Sequence, residues 1–170
     1  MAPLVRRTWA PRGYTPVLRQ RARAHTKVSV IAALSITPAR DRCALYFGLH
    51  PNANITDDAV VEFVKALTEE LPDPLLLIWD RSTPHRATVV TDFLKEIPRV
   101  QRHFFPPYAP ELNPVEYVWT HTKMNAMANR ASLALEELTT AAGDAMEQVQ
   151  GEQDLLRSFL KHSGLPLRLR

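Results

Sequence analysis

The sequence predicts an α/β fold, in which a mixed sheet is flanked by helices and followed by extra C-terminal helices. Three features indicate this class. Two runs rich in β-branched and aromatic residues enclose a polar turn, apolar runs then alternate with segments of helical periodicity, and only helical patterns follow residue 130. A chain of 170 residues is long enough for one domain with its own core.

Four strands are predicted from short apolar runs bounded by turn-forming residues. They cover residues 28–36, 43–49, 75–79 and 100–105. Thr37-Pro38 closes the first strand, and Asp41-Arg42 lies in the turn that makes the first two strands an antiparallel hairpin. The third is wholly apolar, which is typical of a strand covered on both faces of a sheet. The fourth stops at Pro106-Pro107, because proline cannot donate a ladder hydrogen bond.

Five helices are predicted from apolar residues that recur every three or four positions. They cover residues 57–71, 85–97, 113–127, 132–150 and 154–162. Thr56 is a favoured N-cap for the first helix, and Thr83-Pro84 opens the second. Asn113-Pro114 opens the third, because Asn is favoured at the N-cap and Pro at the first helical position. Ser132 begins the fourth.

Basic residues are concentrated at the N-terminal end. Residues 1–40 contain eight of the 21 Lys and Arg and none of the 18 acids. We therefore divide the chain into a basic arm at 1–27, a core at 28–130 and a C-terminal helical extension at 131–170. A basic arm on an acidic body predicts a polyanionic partner such as nucleic acid, although a solvated basic loop fits equally well. The candidate phosphate contacts are Arg7, Arg12, Arg19, Arg21, Arg23, Lys27, Lys123 and Arg130.

Other features of the sequence indicate the cellular compartment in which the protein is expected. No run approaches the roughly 20 apolar residues that a membrane span needs. The N-terminal residues lack the apolar segment and cleavage site of a secretory signal. Cys43 is the single cysteine, which excludes an internal disulfide and fits a reducing compartment. These observations predict a cytoplasmic protein.

Two acids each follow a predicted strand and stand at a helix entry. Asp80 ends the apolar run 75–79, where a charge is costly unless it is paired or binds a cation. Glu116 lies in the first turn of the helix that begins at Asn113-Pro114. Each acid alone has a plain structural explanation, Asp80 as a turn residue and Glu116 as a complement to the helix dipole. Together they predict a site for Mg²⁺ or Mn²⁺, which bind through one or two carboxylates with phosphate and water.

The surroundings of these acids resemble the second and third acid motifs of DDE-type transposases, in the mariner-like group of bacterial insertion sequences. The resemblance is carried by Leu77-Ile-Trp-Asp80, His85-Arg86 and Phe105-Pro-Pro-Tyr-Ala-Pro-Glu-Leu-Asn-Pro-Val-Glu116-Tyr-Val-Trp119. Weaker matches occur at residues 7–13, 28–36, 46–47 and 156–159. The proline-rich motif is long and specific, whereas a single Asp after an apolar strand is not.

The resemblance implies a ribonuclease-H-like fold and a site in which three acids hold two divalent ions, Mg²⁺ or Mn²⁺. Such ions activate water and then a DNA 3′-hydroxyl for attack on phosphodiesters. Asp80 and Glu116 match the second and third acids. The first acid and the strand that carries it are expected just before the segment that matches residues 3–7. No acid precedes Asp41, which lies in a predicted turn and does not take this role.

Three residues near the acids have more than one interpretation. His85 matches a motif histidine that approaches the scissile phosphate or orients a ligand, and it also fits an ordinary surface histidine in a helix's first turn. Tyr108 fits either stacking on a base or covering the proline-rich loop. Arg81 stands where the family commonly has Asn or a small residue, and a cation beside Asp80 competes electrostatically with a metal ion.

Two functions follow from the resemblance. One is a transposase catalytic domain that performs Mg-dependent DNA strand cleavage and strand transfer on transposon ends and target DNA. The other is a truncated, inactive remnant that still binds DNA or a partner subunit. An unrelated metal-dependent nuclease is a third interpretation, which the proline-rich motif disfavours. The expected protein partner is a second copy or the missing N-terminal portion of the transposase, and the expected location is the bacterial nucleoid.

Overall fold

A computed structural model describes residues 9–15, 27–128, 134–167 and 169. Its strands are β1 (Val28–Ile36), β2 (Cys43–Pro51), β3 (Leu75–Trp79) and β4 (Val100–Phe104). Its α-helices are α1 (Asp57–Glu70), α2 (Thr88–Lys95), α3 (Pro114–Met124), α4 (Leu135–Gly151) and α5 (Gln153–His162). Two short 3₁₀ turns lie at Pro84–Arg86 and Pro110–Leu112. The predicted α/β fold with extra C-terminal helices is confirmed.

The predicted helix over residues 85–97 is wrong in its first part. A 3₁₀ turn at Pro84–Arg86 is followed by Ala87, whose ψ of 147° is extended, and only then does α2 begin. The break accompanies His85, which bonds to the carboxylate of Asp80 (described below). Ser132, predicted to begin the fourth helix, lies outside the described residues, and α4 begins at Leu135.

The strands pair in two separate ladders. β1 and β2 are antiparallel, from Val28 opposite Pro51 to Ile36 opposite Cys43. β3 and β4 are parallel and in register over their full lengths. Both kinds of pairing expected of a mixed sheet are therefore present. Within the described part of the chain, however, β1 pairs with β2 alone and β3 with β4 alone, so the second edges of β1 and β3 carry no ladder.

Two hydrophobic clusters of the core correspond to the two ladders. Leu45, Met146 and Leu156 are buried where α3, α4 and α5 pack on the hairpin. A second cluster, around Val60 and Val90, is buried where α1 and α2 pack on β3 and β4. None of the helices formed by the described residues is long and apolar enough to cross a bilayer.

Glutamine side chains complete the outer edge of β2. The Gln153 amide accepts from the Cys43 N–H at 3.2 Å and donates to the Cys43 carbonyl at 2.6 Å. Gln150 donates to the Leu45 carbonyl at 2.6 Å. These two residues, which lie on α5 and α4, thereby supply hydrogen bonds that a neighbouring strand would otherwise make.

Arg99 fixes the connection from α1 to β3. Its guanidinium donates to the backbone carbonyls of Leu71 at 2.7 Å, Asp73 at 2.9 Å and Thr68. Carbonyls at the end of a helix have no intrahelical partner, so this one side chain satisfies acceptors that would otherwise need water. The contact ties the residue before β4 to the end of α1 and to the segment that leads into β3.

Candidate active site

Asp80 is the first residue after β3, at the carboxyl end of the parallel pair. Trp79 before it is buried, and the Trp79 carbonyl accepts a hydrogen bond from the Phe105 N–H at 2.9 Å, just beyond the end of β4. The side chain of Asp80 is about half exposed, at 51%. Carboxyl ends of parallel strands are where α/β proteins place ligands, and the structure puts a solvent-accessible carboxylate there.

The Asp80 carboxylate is held by two donors. His85 Nδ1 lies 2.6 Å from Asp80 Oδ1, and the Ser82 backbone N–H donates to the same oxygen at 2.9 Å. The hydrogen bond from His85 lowers the pKa of Asp80 far below its ordinary value, partial burial opposes this, and the bonds from Ser82 add to it. Asp80 is consequently ionised at neutral pH, as a cation ligand must be.

A second contact holds the ring of His85. It stacks on Trp79, with ring centroids 4.5 Å apart and an interplanar angle of 5°. Because an ionised carboxylate can only accept hydrogen bonds, the proton between the two groups belongs to His85 Nδ1. His85 is therefore not an isolated surface histidine. Sequence patterns alone do not reveal this contact of Trp79, because it depends on the turn that brings His85 back over the strand.

Glu116 lies in the first turn of α3, as predicted. Asn113 caps the helix, its side-chain oxygen accepting from the Val115 N–H at 3.2 Å, and Pro114 takes the first helical position. Tyr117, next to Glu116, donates to the His162 carbonyl at 2.9 Å and ties α3 to the end of α5. The Glu116 side chain is exposed, and no described residue forms a hydrogen bond or ion pair with its carboxylate.

Arg81 is directed to a neighbouring strand. Its Nε donates to the Phe105 carbonyl at 3.2 Å, and its guanidinium lies 5.5 Å from the centre of the Phe104 ring. Arg102 approaches the same ring at 5.1 Å and donates to Thr91 at 2.9 Å. No ion pair joins Arg81 to Asp80 within the described residues, so the expected competition with a metal ion is not visible as a direct contact.

Asp41 does not supply a further acid to this site. It lies in the turn between β1 and β2, where its carboxylate accepts from Thr37 Oγ1 at 2.6 Å. That hydrogen bond lowers the pKa of Asp41. No group of three or more His, Cys, Asp or Glu side chains suited to a metal is formed by the described residues. Asp80 and Glu116 carry the hard oxygen donors that suit Mg²⁺ or Mn²⁺, and their role as metal ligands stays a prediction.

Of the predicted phosphate contacts, three lie within the described residues. Arg12 is exposed, Lys27 bonds to the side chain of Asn54, and Lys123 lies in the last turn of α3. The remaining candidates lie outside the described residues: Arg7, Arg19, Arg21, Arg23 and Arg130. Their role in nucleic-acid binding stays a prediction.

This chain is similar to solved structures that include two of Mos1 transposase. No curated protein matches it. Among solved structures, the Mos1 strand transfer complex has a TM-score of 0.48 and 13% identity, and the match covers 98% of this chain and 52% of that one. The catalytic domain of Mos1 mariner transposase has a TM-score of 0.44 and 14% identity, with 83% of each chain covered. This chain thus spans about half the length of the chain in the strand transfer complex.

The family comparison identifies the chain. Residues 2–139, most of its length, match the family described as DDE superfamily endonuclease. The matched span contains both predicted acids, and it agrees with the resemblance drawn from the proline-rich motif. The chain belongs to the DDE superfamily endonucleases.

Proposed function

We propose that this chain is the catalytic portion of a transposase that cleaves and joins DNA strands, with Asp80 and Glu116 as two acids of a three-acid metal site. The observation that carries the proposal is the ionised Asp80 at the carboxyl end of β3, in a chain of the DDE endonuclease family. Bound Mg²⁺ or Mn²⁺ would supply an activated water or 3′-hydroxyl and stabilise the charge on the phosphate. The ribonuclease-H-like arrangement of the core is part of this proposal.

The residues of the chain have distinct parts in this function. Asp80 and Glu116 would hold the ions. His85 would position Asp80, because its hydrogen bond and its stacking on Trp79 leave the carboxylate little freedom to rotate. Lys123 and the basic arm would contact DNA phosphates, which fix a protein on DNA without reading sequence.

The missing acid is proposed to come from outside this sequence, on a strand that pairs with the edges of β1 and β3 that carry no ladder among the described residues. Translating the DNA upstream of the Met1 codon in all frames tests this directly. We expect an open frame that encodes a strand ending in Asp. Continuous non-coding sequence there would contradict the proposal and favour the alternative below.

Nicking of supercoiled DNA with Mg²⁺ or Mn²⁺ tests the two acids. We expect little or no nicking by the chain alone, and nicking once the upstream segment is joined to it. Asp80→Asn and Glu116→Gln should each abolish that activity, whereas Glu111→Gln, a change to an exposed acid in the same loop, should not. Nicking by the joined protein that survives both active-site substitutions would refute the assignment.

A catalytically inactive protein that binds DNA or a partner subunit is the second candidate. It is favoured by the absence of a three-ligand metal group within the described residues. The two candidates differ in one measurement. If the joined protein binds DNA as tightly as the chain alone and still does not nick it with either metal, the second candidate replaces the first.

A further inference from the structure

Tyr108 lies in the loop between β4 and α3 and covers no other part of the chain that the structure describes. It is fully exposed, and its hydroxyl has no hydrogen-bond partner within the described residues. The alternative in which this ring shields the proline-rich loop is therefore wrong. The whole ring of Tyr108 is therefore accessible to a binding partner.

The backbone at Tyr108 is strained as well. Its φ is 59°, in the left-handed region that glycine adopts readily and that bulky side chains avoid. The other two non-glycine residues with positive φ in the described chain are Arg40, in the β1–β2 turn, and Asn52, just after β2. Glycine at position 108 would relieve the strain, so folding alone does not explain the tyrosine. Strain of this kind is concentrated at functional sites.

The loop is restricted by prolines and joins the end of β4, which bonds to the residue before Asp80, to the helix that carries Glu116. Pro106, Pro107 and Pro110 each fix φ, which limits the conformations of the segment that carries the ring. At its start the Phe105 N–H bonds to the carbonyl of Trp79, the residue before Asp80. Three residues span at most about 11 Å, so the Tyr108 backbone remains near the carboxyl end of β3. At its other end the loop enters α3, one turn of which carries Glu116.

The charges near the start of this loop favour a polyanion. Arg81 and Arg102 both lie against the Phe104 ring, and neither forms an ion pair with a carboxylate of the described chain. Guanidinium groups held in this way suit phosphate oxygens. Proteins bind single-stranded nucleic acid by combining exposed aromatic rings with basic side chains, and this segment supplies both: Tyr108 in the loop, and Arg81 and Arg102 near its start.

We propose that Tyr108 stacks on an unpaired base of the DNA strand bound at the Asp80–Glu116 site. The inference rests on the proposed function and adds a specific binding residue to it. Stacking on an aromatic ring tolerates any base, so Tyr108 would hold a strand end or an unpaired nucleotide in place without reading its identity. The strain at φ 59° would be retained because it aims the ring away from the protein.

Two substitutions of Tyr108 distinguish the contribution of the aromatic ring from the effect of the backbone strain. Tyr108→Gly removes the ring and relieves the strain, and Tyr108→Phe keeps the ring without the hydroxyl. We expect Tyr108→Gly to weaken binding of a single-stranded oligonucleotide about 5- to 150-fold, the range that stacking contributes, while its melting temperature stays equal or rises. Tyr108→Phe should bind like the unsubstituted chain. Val89→Ala, at an exposed apolar residue on α2, is the control and should leave binding unchanged.

Anisotropy of a labelled oligonucleotide measures the affinity, and photocrosslinking to 5-iodouracil followed by mass spectrometry locates the contact. Crosslinking at Tyr108 together with weaker binding by the Gly variant would support stacking. Equal affinity of the Gly variant would overturn the inference while DNA binding itself stands. If sedimentation shows instead that Tyr108→Gly disrupts a dimer of the free chain, the ring is a contact between copies and the inference is wrong. Absence of DNA binding by the unsubstituted chain would reject the proposed function and this inference together.

Discussion

The imidazole of His85 bonds to the carboxylate of Asp80 through a contact of 2.6 Å, five residues apart along the chain. The pair joins the end of β3 to the 3₁₀ turn that follows it, so the orientation of Asp80 is set locally. The same imidazole lies flat on Trp79, which is part of the buried core beneath. His85 therefore connects the partly exposed carboxylate of Asp80 to the buried core.

Replacing His85 should raise the pKa of Asp80. In His85→Phe a ring remains to stack on Trp79, but the hydrogen bond that stabilises the ionised carboxylate is lost, so the pKa should move up toward the ordinary value of about 3.9. Carboxyl ¹³C NMR titration measures the change. Arg86→Ala, at an exposed neighbour, should leave the titration unaltered. An unchanged Asp80 titration in His85→Phe would show that another group holds the carboxylate ionised.

The same hydrogen bond has a consequence for stability. A carboxylate whose pKa is lower in the folded protein than in the unfolded chain contributes stability above the unfolded pKa, and that contribution is lost as the pH falls. The His85→Phe protein should therefore lose less stability between pH 5 and pH 3 than the unsubstituted protein, as measured by urea unfolding at each pH. The difference should be small because the Asp80 side chain is 51% exposed.

The same substitution at a buried and at an exposed leucine, Leu45 and Leu76, tests how the core is packed. Leu45 is fully buried between the hairpin and the C-terminal helices, whereas Leu76 is 58% exposed on β3. Leu45→Ala should lower the free energy of unfolding by about 2–5 kcal/mol, because it leaves a cavity. Leu76→Ala should change it by less than about 0.5 kcal/mol, as is usual at the surface. Similar losses in the two variants would contradict the described packing of β2.

Arg99 should be needed for the α1–β3 connection. Arg99→Met keeps much of the apolar stem but leaves three backbone carbonyls without their donor, and we expect a loss of about 1–3 kcal/mol in urea unfolding. Arg99→Lys should recover only part of this, since one ammonium cannot reproduce the two guanidinium nitrogens that bond here. Arg86→Met serves as the control. Full recovery of stability in Arg99→Lys would show that a positive charge is sufficient and that the guanidinium geometry is not required.

Cys43 should react slowly with thiol reagents in the folded protein. It is 3% exposed, and burial raises the pKa of its thiol, so little thiolate is present and access is poor. The rate of reaction with a chromogenic disulfide should rise steeply across the urea unfolding transition. In a Cys43→Ser protein, Ala126→Cys introduces an exposed cysteine, which should react rapidly under native conditions. Rapid native reaction of Cys43 would indicate that the start of β2 opens readily.

Local signals in the sequence predicted much of the fold. The Thr56 side chain caps α1 by accepting from the Ala59 N–H at 3.2 Å, and Asn113 caps α3 as expected from its position before a proline. Caps and turns act over three or four residues, so one sequence is enough to recognise them. The strand β1 has the bounds that its β-branched composition predicted.

Contacts between elements were not predictable in the same way. Helical periodicity over residues 85–97 cannot reveal the extended backbone of Ala87 or the turn of His85 toward Asp80. The exposure of Tyr108 depends on which surfaces lie near the loop, and the side-chain bonds of Gln153 to β2 join residues 110 positions apart. In the candidate site the residue types were predicted, but the arrangement that holds Asp80 ionised required the structure.

The glutamine bonds along β2 affect how this protein can associate. A strand edge with free backbone groups is a template on which another chain can add a strand. Gln150 and Gln153 occupy such groups at Cys43 and Leu45, and both are held there by helices from the far end of the chain. Removing α4 and α5 would therefore uncover a pairing edge as well as an apolar face. The C-terminal helices thus cover an edge of the hairpin on which another strand could otherwise pair.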